Sequence, residues 1–412
     1  MENKFVELKE LLERNNQEEI LKIIDKVENN DKLLEEIESV DFELINKLYK
    51  NRQKEKIIDL NTIKPISYVD KKSLSKEEEE KYTNIGDEII KQGKLAVVTM
   101  AGGQGSRLGH EGPKGTFQVE VDKKKSIFEI LCERMKEVYE KYKVYVPWYI
   151  MTSKQNSDET VEFFEKNNYF GYPKSEIFFF PQGELPVLNE EGKLMIDKEG
   201  NLNQAADGHG GVFISLRKNK MIEDMKKRNI KWMFIGPVDN ILVKPIDSIF
   251  IGLCEDKNVM AGGKSIVKAY PEERVGVFCT KEGKPTVIEY TEISDEMCNE
   301  TNENGELVYS EAHILCNMFK VDAIDEISKD KLPYHSAYKK IEYMDENGDI
   351  VKPQSPNAYK FEAFLFDAFE LLKNMAVYRV KREEEFAPIK NAEGNDSPET
   401  AVKLYKDFYN IK

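Results

Sequence analysis

The run Leu95-Ala-Val-Val-Thr-Met100 passes directly into Ala101-Gly-Gly-Gln-Gly-Ser-Arg-Leu-Gly109 and then His110-Glu-Gly-Pro-Lys-Gly-Thr116. A short apolar run that ends in glycine fits a strand buried on both faces, as in a parallel sheet, that stops at a loop. Glycines in such a loop let backbone N–H groups approach an anion closely. Arg107 and Lys114 add positive charge to the same loop, so a nucleoside triphosphate is a natural guest. Two common glycine motifs fail on spacing. A dinucleotide fingerprint needs Gly-x-Gly-x-x-Gly, but Leu108 stands where the third glycine belongs after Gly103 and Gly105. A P-loop needs Gly-Lys-Ser/Thr, whereas the chain reads Pro113-Lys114-Gly115.

Further strand-like runs lie at Pro147–Thr152, Ile177–Phe180, Trp232–Ile235 and Arg274–Phe278, with helical stretches between them. One of these, Ser126 to Lys143, opens with the capping-box pair Ser126 and Glu129. Alternating strands and helices predict an α/β sheet. Residues 1 to about 55 carry apolar positions at helical spacing, including Phe5, Leu8, Leu12, Ile20, Ile24, Leu33 and Ile37, which predicts two or three amphipathic helices packed on the main domain. Ser75, ahead of a run of glutamates, predicts another helix start. The stretches around 183–204 and 294–307 read as irregular insertions rich in Gly, Asn and Glu.

With 61 Lys+Arg against 76 Asp+Glu, the formal net charge of −15 opposes a broad phosphate-backbone footprint, so general nucleic-acid binding is not expected. The 5 cysteines, Cys132, Cys254, Cys279, Cys298 and Cys316, contain no Cys-x-x-Cys pair, which argues against zinc or disulfide frameworks and for a reducing cytoplasm. The N-terminal residues lack a basic start followed by an apolar run, and no stretch reaches the roughly 20 apolar residues that span a bilayer, so neither secretion nor membrane insertion is expected.

At the glycine loop the chain resembles the UDP-sugar pyrophosphorylases, on the branch containing UDP-N-acetylglucosamine pyrophosphorylase. The signature Ala-Gly-Gly-Gln-Gly-Thr/Ser-Arg-Leu-Gly followed by Pro-Lys-Gly is complete here, Ala101 to Gly109 and Pro113 to Gly115. The resemblance continues in order through Gln182–Pro186, Ala206–Gly211, Val238–Lys244, Arg274–Val277, Ile288–Ser294, Lys360–Asp367 and Phe386–Ala392, covering about 95 to 392. It implies a Rossmann-like, mixed but mainly parallel sheet of the nucleotide-diphospho-sugar transferase type, with an N-terminal helical addition (1–90), a catalytic domain (91–350) and a small C-terminal α+β segment (351–412).

The activity implied is transfer of a uridylyl group from UTP to a sugar 1-phosphate. The nucleophile in that reaction is already an anion, so no general base is needed, which suits a chain with only 4 histidines and no Ser-His-Asp arrangement. By resemblance, Arg107, Lys114 and Lys390 contact the phosphates, and Asp239, at the end of a predicted strand, holds Mg²⁺. Ala101, Gly102, Gly103, Gln182 and Gly208 fall to uridine; an amide such as Gln182 reads the imide edge with one donor and one acceptor. His209, Gly276, Glu289, Tyr290, Asn317, Lys360 and Phe364 fall to the sugar phosphate, with Lys360 and Phe364 read as one helical turn apart.

Family members specific for N-acetylated sugars typically carry Asn in Asp-Gly-Asn-Gly-Gly, whereas this chain has His209, as in the Gly-His-Gly of the UDP-glucose branch. N-acetylglucosamine 1-phosphate is the first expectation, with glucose 1-phosphate or a broad specificity as alternatives, and a catalytically silent sugar-nucleotide sensor as a rival of another class. The short stretch after Lys390 implies no extended assembly domain, hence a monomer or weak homodimer.

Overall fold

The computed structural model describes residues 2–24, 26–27, 30–52 and 59–411. The Phe5 side chain and the end of the predicted N-terminal helical stretch, from 53 on, lie outside the described residues. The chain forms two compact units, each assembled from separated segments: one from Met1–Ile57, Gly183–Gly211 and Leu332–Leu365, the other from Ile58–Gln182, Val212–Lys331 and Phe366–Lys412. These units cut across the sequential stretches 1–90, 91–350 and 351–412.

The second unit is built on a mixed sheet. Its main path uses β1 (Tyr68–Asp70), β2 (Leu95–Met100), β3 (Trp148–Thr152), β4 (Ile177–Pro181), β5 (Trp232–Pro237), β6 (Ala261–Val267), β7 (Glu311–Lys320) and β8 (Met375–Arg379). The spatial order is β1-β8-β6-β7-β5-β2-β3-β4. All neighbours are parallel except β7, which runs antiparallel to both β5 and β6. A mainly parallel α/β sheet is therefore the observed architecture. β2 is buried at its first five positions, as a central strand covered on both faces must be. Its one polar residue, Thr99, accepts a hydrogen bond from Trp148 Nε1 at 2.8 Å.

The helix Ile127–Tyr142 starts where Ser126 accepts from the Glu129 N–H, and Lys76–Lys91 carries a full capping box between Ser75 and Glu78. The strand expected at Arg274–Phe278 begins only at Val277, which pairs with Ala312 on β7. It forms a hairpin with Lys284–Ile288, turned at Glu282 and Gly283 with φ of 51° and 79°.

In the first unit, helices Glu2–Arg14, Leu21–Ile24, Asn30–Glu38 and Phe42–Asn51 bury Leu8, Leu12, Leu33 and Ile37 against Leu188, Ile196, Leu202 and Phe361. The amphipathic faces read from the sequence are thus consumed by this unit's own core. The stretch expected as an irregular insertion at 183–204 is instead a set of tight hairpins. Asn189 Oδ1 accepts the N–H groups of Glu191 and Lys193 at 2.9 and 2.8 Å, and Asp197 Oδ1 accepts those of Glu199 and Asn201 at 2.9 and 2.8 Å. Each turn closes on a glycine in the left-handed region, Gly192 and Gly200, both at φ 81°. Around 294–307, helix Asp295–Asn299 is capped by Ser294. The segment after 351 is also divided, since Ala358–Ala363 pairs with Tyr334–Lys339 while β8 joins the sheet of the second unit.

One buried polar cluster stands inside the second unit. Lys264 on β6 is fully enclosed and donates to Asp247 Oδ2 at 2.8 Å and Glu385 Oε2 at 2.6 Å. Burial opposes the ammonium charge, but the two carboxylates outweigh it and hold the Lys264 pKa above the ordinary lysine value. Removing the cation would take from both carboxylates their shortest ionic partner, with Lys244 left 3.9 Å from Glu385. Lys264→Met should therefore lower unfolding stability by about 3–5 kcal/mol, read as a fall in the urea midpoint with little change in slope.

Candidate active site

β2 and β5 lie side by side in parallel, with Met100 opposite Pro237. From β2 the chain proceeds to β3 and β4 on one side of the sheet, and β5 then enters on the other, so the strand order reverses between β2 and β5. Ligands of open α/β sheets bind outside the carboxyl ends of the strands at such a reversal. The glycine loop leaves β2 there and Asp239 leaves β5 there. Val238 N–H donates to the Met100 carbonyl at 3.1 Å, which ties the two exits together.

The loop doubles back on itself. Lys114 N–H donates to the Gly103 carbonyl at 3.0 Å and Gly105 N–H to the Gly112 carbonyl at 2.9 Å. This return carries the Lys114 ammonium to 3.0 Å from Asp239 Oδ2, with both side chains mostly enclosed, 15% and 18% exposed. Gly103 is exposed and nothing lies within 4 Å of where its Cβ would be, so a ligand can rest directly on the backbone. At Gly102 a Cβ would come within 2.7 Å of the Gln182 amide, so that amide is seated on the loop. Gln182 follows β4, and its N–H donates to the Thr152 carbonyl at 2.7 Å. Ala101 is buried and its N–H donates to the Met151 carbonyl at 2.7 Å. Arg107 stands exposed on the turn Ser106–Leu108, without an ion-pair partner among the described residues. Lys390 Nζ is 3.8 Å from Asp396 Oδ2, and the preceding Ile389 N–H donates to the Asp239 carbonyl at 2.9 Å. Ala101, Gly102, Gly103, Gln182, Lys114, Asp239 and the Lys390 backbone are therefore gathered at one sheet edge.

Of the residues expected at the sugar, Gly276 and Glu289 are adjacent, since a Cβ on Gly276 would lie 3.3 Å from Glu289 Oε1. Tyr290 is exposed. Asn317 sits in mid-strand on β7 opposite Ile235 and is fully enclosed. Its Oδ1 lies 3.0 Å from His313 Nε2, while its Nδ2 is buried without a partner among the described residues.

The remaining expected residues belong to the first unit. Gly208 has φ 86°, and a Cβ there would strike the Ala363 carbonyl at 2.4 Å. His209 Nδ1 accepts the Leu365 N–H at 3.0 Å, so the neutral ring carries its proton on Nε2. The His209 ring stacks on Phe364 at 5.5 Å, and Phe364 stacks in turn on His335 at 4.3 Å. Lys360 lies on strand Ala358–Ala363 and not on a helix, because that segment pairs antiparallel with Tyr334–Lys339; the helical-turn relation to Phe364 is corrected accordingly.

Residues 40–406 match the sequence profile of the family described as UTP–glucose-1-phosphate uridylyltransferase. Over 412 residues the chain is 37% identical to the UDP-N-acetylglucosamine pyrophosphorylase of Saccharomyces cerevisiae, covering 96% of this chain and 85% of that protein. The chain belongs to this family of UDP-sugar pyrophosphorylases. The UDP-N-acetylglucosamine diphosphorylase 2 of Arabidopsis thaliana is also 37% identical, over 96% of this chain and 82% of its own length. The solved uridine diphosphate N-acetylglucosamine pyrophosphorylase of Trypanosoma brucei, in complex with an inhibitor, superposes with a TM-score of 0.83 at 30% identity, over 98% of this chain and 84% of that one. The named relatives are uridylyltransferases, a nucleotidyltransferase class.

Two buried amides of this pyrophosphorylase-family fold escape a reading of the sequence. Asn156, just before helix Ser157–Lys166, donates to the Ala101 and Gly103 carbonyls at 3.1 and 3.4 Å and accepts the Ser153 N–H at 2.8 Å. Asn240, next to Asp239, is equally enclosed. In sequence each resembles an ordinary loop or capping asparagine, and only the fold shows what it reaches. Asn156→Ala would strand the Ala101 carbonyl and the Ser153 N–H in a buried setting, which should lower stability by about 1–3 kcal/mol, measured by chemical denaturation.

Proposed function

We propose that the protein makes UDP-N-acetylglucosamine and pyrophosphate from UTP and N-acetylglucosamine 1-phosphate. The observation that carries this reading is the seating of Lys114 on Asp239 at the carboxyl ends of β2 and β5, beside an open Gly103 and the Gln182 amide. A phosphate oxygen of the sugar 1-phosphate attacks the α-phosphorus of UTP in line. The bond from that phosphorus to the α–β bridging oxygen breaks, and pyrophosphate leaves with the electron pair. Two polyanions must meet, so the work is positioning and charge neutralisation.

In this reading Arg107, Lys114 and Lys390 neutralise the triphosphate and the departing pyrophosphate. The loop backbone at Ala101, Gly102 and Gly103, with the Gln182 amide, holds the uracil. Glu289 accepts hydrogen bonds from sugar hydroxyls, Gly276 allows close approach, and Tyr290 packs on the ring. Asn317 holds His313 through Oδ1, and its Nδ2 is the group that would serve the sugar. By resemblance, His209, Lys360 and Phe364 of the first unit fall to the sugar phosphate, and an imidazole N–H is a donor suited to an acetamido carbonyl or a hydroxyl oxygen.

Among the described residues no cluster of three or more His, Cys, Asp or Glu side chains is placed to hold a metal. The single carboxylate of Asp239, with substrate phosphates and water completing the shell, fits magnesium, which is seldom caged by protein alone. When bound, such an ion supplies charge neutralisation at the phosphates. All five cysteines are free, and burial pushes the Cys132, Cys279 and Cys316 thiols up to about 12. Five free thiols suit a reducing, cytoplasmic site of action.

A glucose 1-phosphate preference is the second reading, favoured by His209 in place of the asparagine typical of N-acetyl-specific members. Pyrophosphate release with UTP and Mg²⁺ tests both, comparing N-acetylglucosamine, N-acetylgalactosamine and glucose 1-phosphates. A strong preference for the first is expected; a glucose preference would make His209 the specificity switch, and UTP binding without release on any sugar would point to a sensor. Lys114→Ala should lower kcat by about a hundredfold or more while the chain still folds, as read by circular dichroism. Near-normal turnover in that variant would remove Lys114 from the chemistry.

A further inference from the structure

The loop after β5 and the segment that delivers Lys390 are far apart in sequence yet joined along their length. Two backbone bonds make the first contact, Ile389 N–H to the Asp239 carbonyl at 2.9 Å and Ile241 N–H to the Ala387 carbonyl at 3.2 Å. The Asn240 side chain makes the rest. Its Oδ1 accepts the Ala387 N–H at 2.9 Å and the Leu242 N–H at 3.1 Å, and its Nδ2 donates to the Glu385 carbonyl at 2.7 Å. The residue is fully enclosed, so water cannot substitute for any of these bonds. Glu385 is itself fixed from the other side, by the Lys264 ammonium at 2.6 Å.

We propose that Asn240 is a positioning residue for uridylyl transfer, whose amide sets the spacing between the Asp239 carboxylate and the Lys390 ammonium. Neither backbone bridge alone can do this. The bridges fix residues 387 and 389, and the Lys264 ammonium holds the Glu385 side chain, but among these bonds it is Nδ2–H that ties the Glu385 backbone to the loop after β5. A side chain with only an acceptor, or with neither group, would leave Lys390 attached but misplaced. The inference rests on the uridylyl-transfer reading, in which Lys390 meets the pyrophosphate half of the substrate while UDP-sugar binding depends on the glycine loop and Gln182.

The test measures the reverse reaction, from UDP-N-acetylglucosamine and pyrophosphate, in Asn240→Ala, Asn240→Asp and Lys390→Ala, together with calorimetric binding of UDP-N-acetylglucosamine without pyrophosphate. Asn240→Ala is expected to lose about thirtyfold or more in kcat/KM for pyrophosphate, since small misplacements of a charged group carry losses of that order. Its affinity for UDP-N-acetylglucosamine should stay within about twofold, and the double variant with Lys390→Ala should fall little below Lys390→Ala alone, as for groups acting through one another. Asn240→Asp, which keeps shape and acceptor but loses the donor, should show the same split and reports if Asn240→Ala does not fold. Normal pyrophosphate kinetics, losses that multiply with Lys390→Ala, an equal loss of UDP-N-acetylglucosamine binding, or failure of both variants to fold would overturn the proposal. An inactive wild-type protein would instead overturn the uridylyl-transfer reading on which it rests.

Discussion

The pairing of Leu95–Met100 with Trp232–Pro237 is the constraint on which the candidate site depends. Because the two strands run parallel and end in register, the loop that can cradle phosphate and the aspartate that can face a cation emerge at neighbouring points. Neither loop would be informative alone. A glycine loop after a strand is common, and an Asp-Asn pair after a strand is a frequent turn; what distinguishes this sheet is that one register puts both on the same edge and lets Lys114 close the gap at 3.0 Å. Buried strands hold such a register tightly, because a slip of one residue would turn every side chain to the opposite face.

Behind that edge, polar residues in enclosed positions do the holding. Asn156 fixes the glycine loop from one side and Asn240 fixes the exit of β5 from the other. Lys264, Asp247 and Glu385 form a deeper layer, in which Asp247 also caps the helix Ser248–Asp256. Groups like these contribute little net stability when paired and cost much when one partner is lost, so they specify one arrangement more than they strengthen it.

Much of this architecture was legible in the sequence, and the reasons are local. β2, β3, β4 and β5 announce themselves as apolar runs, and the glycine loop by composition. Ser75 and Ser126 mark helix starts by residue type and spacing alone. What was not legible depends on distance along the chain. No periodicity links Asn240 to Glu385 or places Asn317 in mid-strand, where it is hidden, and the strand character of Ala358–Ala363 is fixed by its partner Tyr334–Lys339. The hairpins at 183–204 fall between these cases: the stretch reads as an irregular insertion rich in Gly, Asn and Glu, because strands of two or three residues carry too little pattern to be recognised.

The first unit's dependence on three separated segments has a consequence for biosynthesis. Helices ending at Asn51 emerge from the ribosome long before Leu185, Leu188 and Leu202, and longer still before Phe361, against which their apolar faces are buried. At common elongation rates about 300 further residues take roughly 15–60 s. For that interval the nascent helices have only one another to pack against, so completion of the unit's core is tied to synthesis of nearly the whole chain.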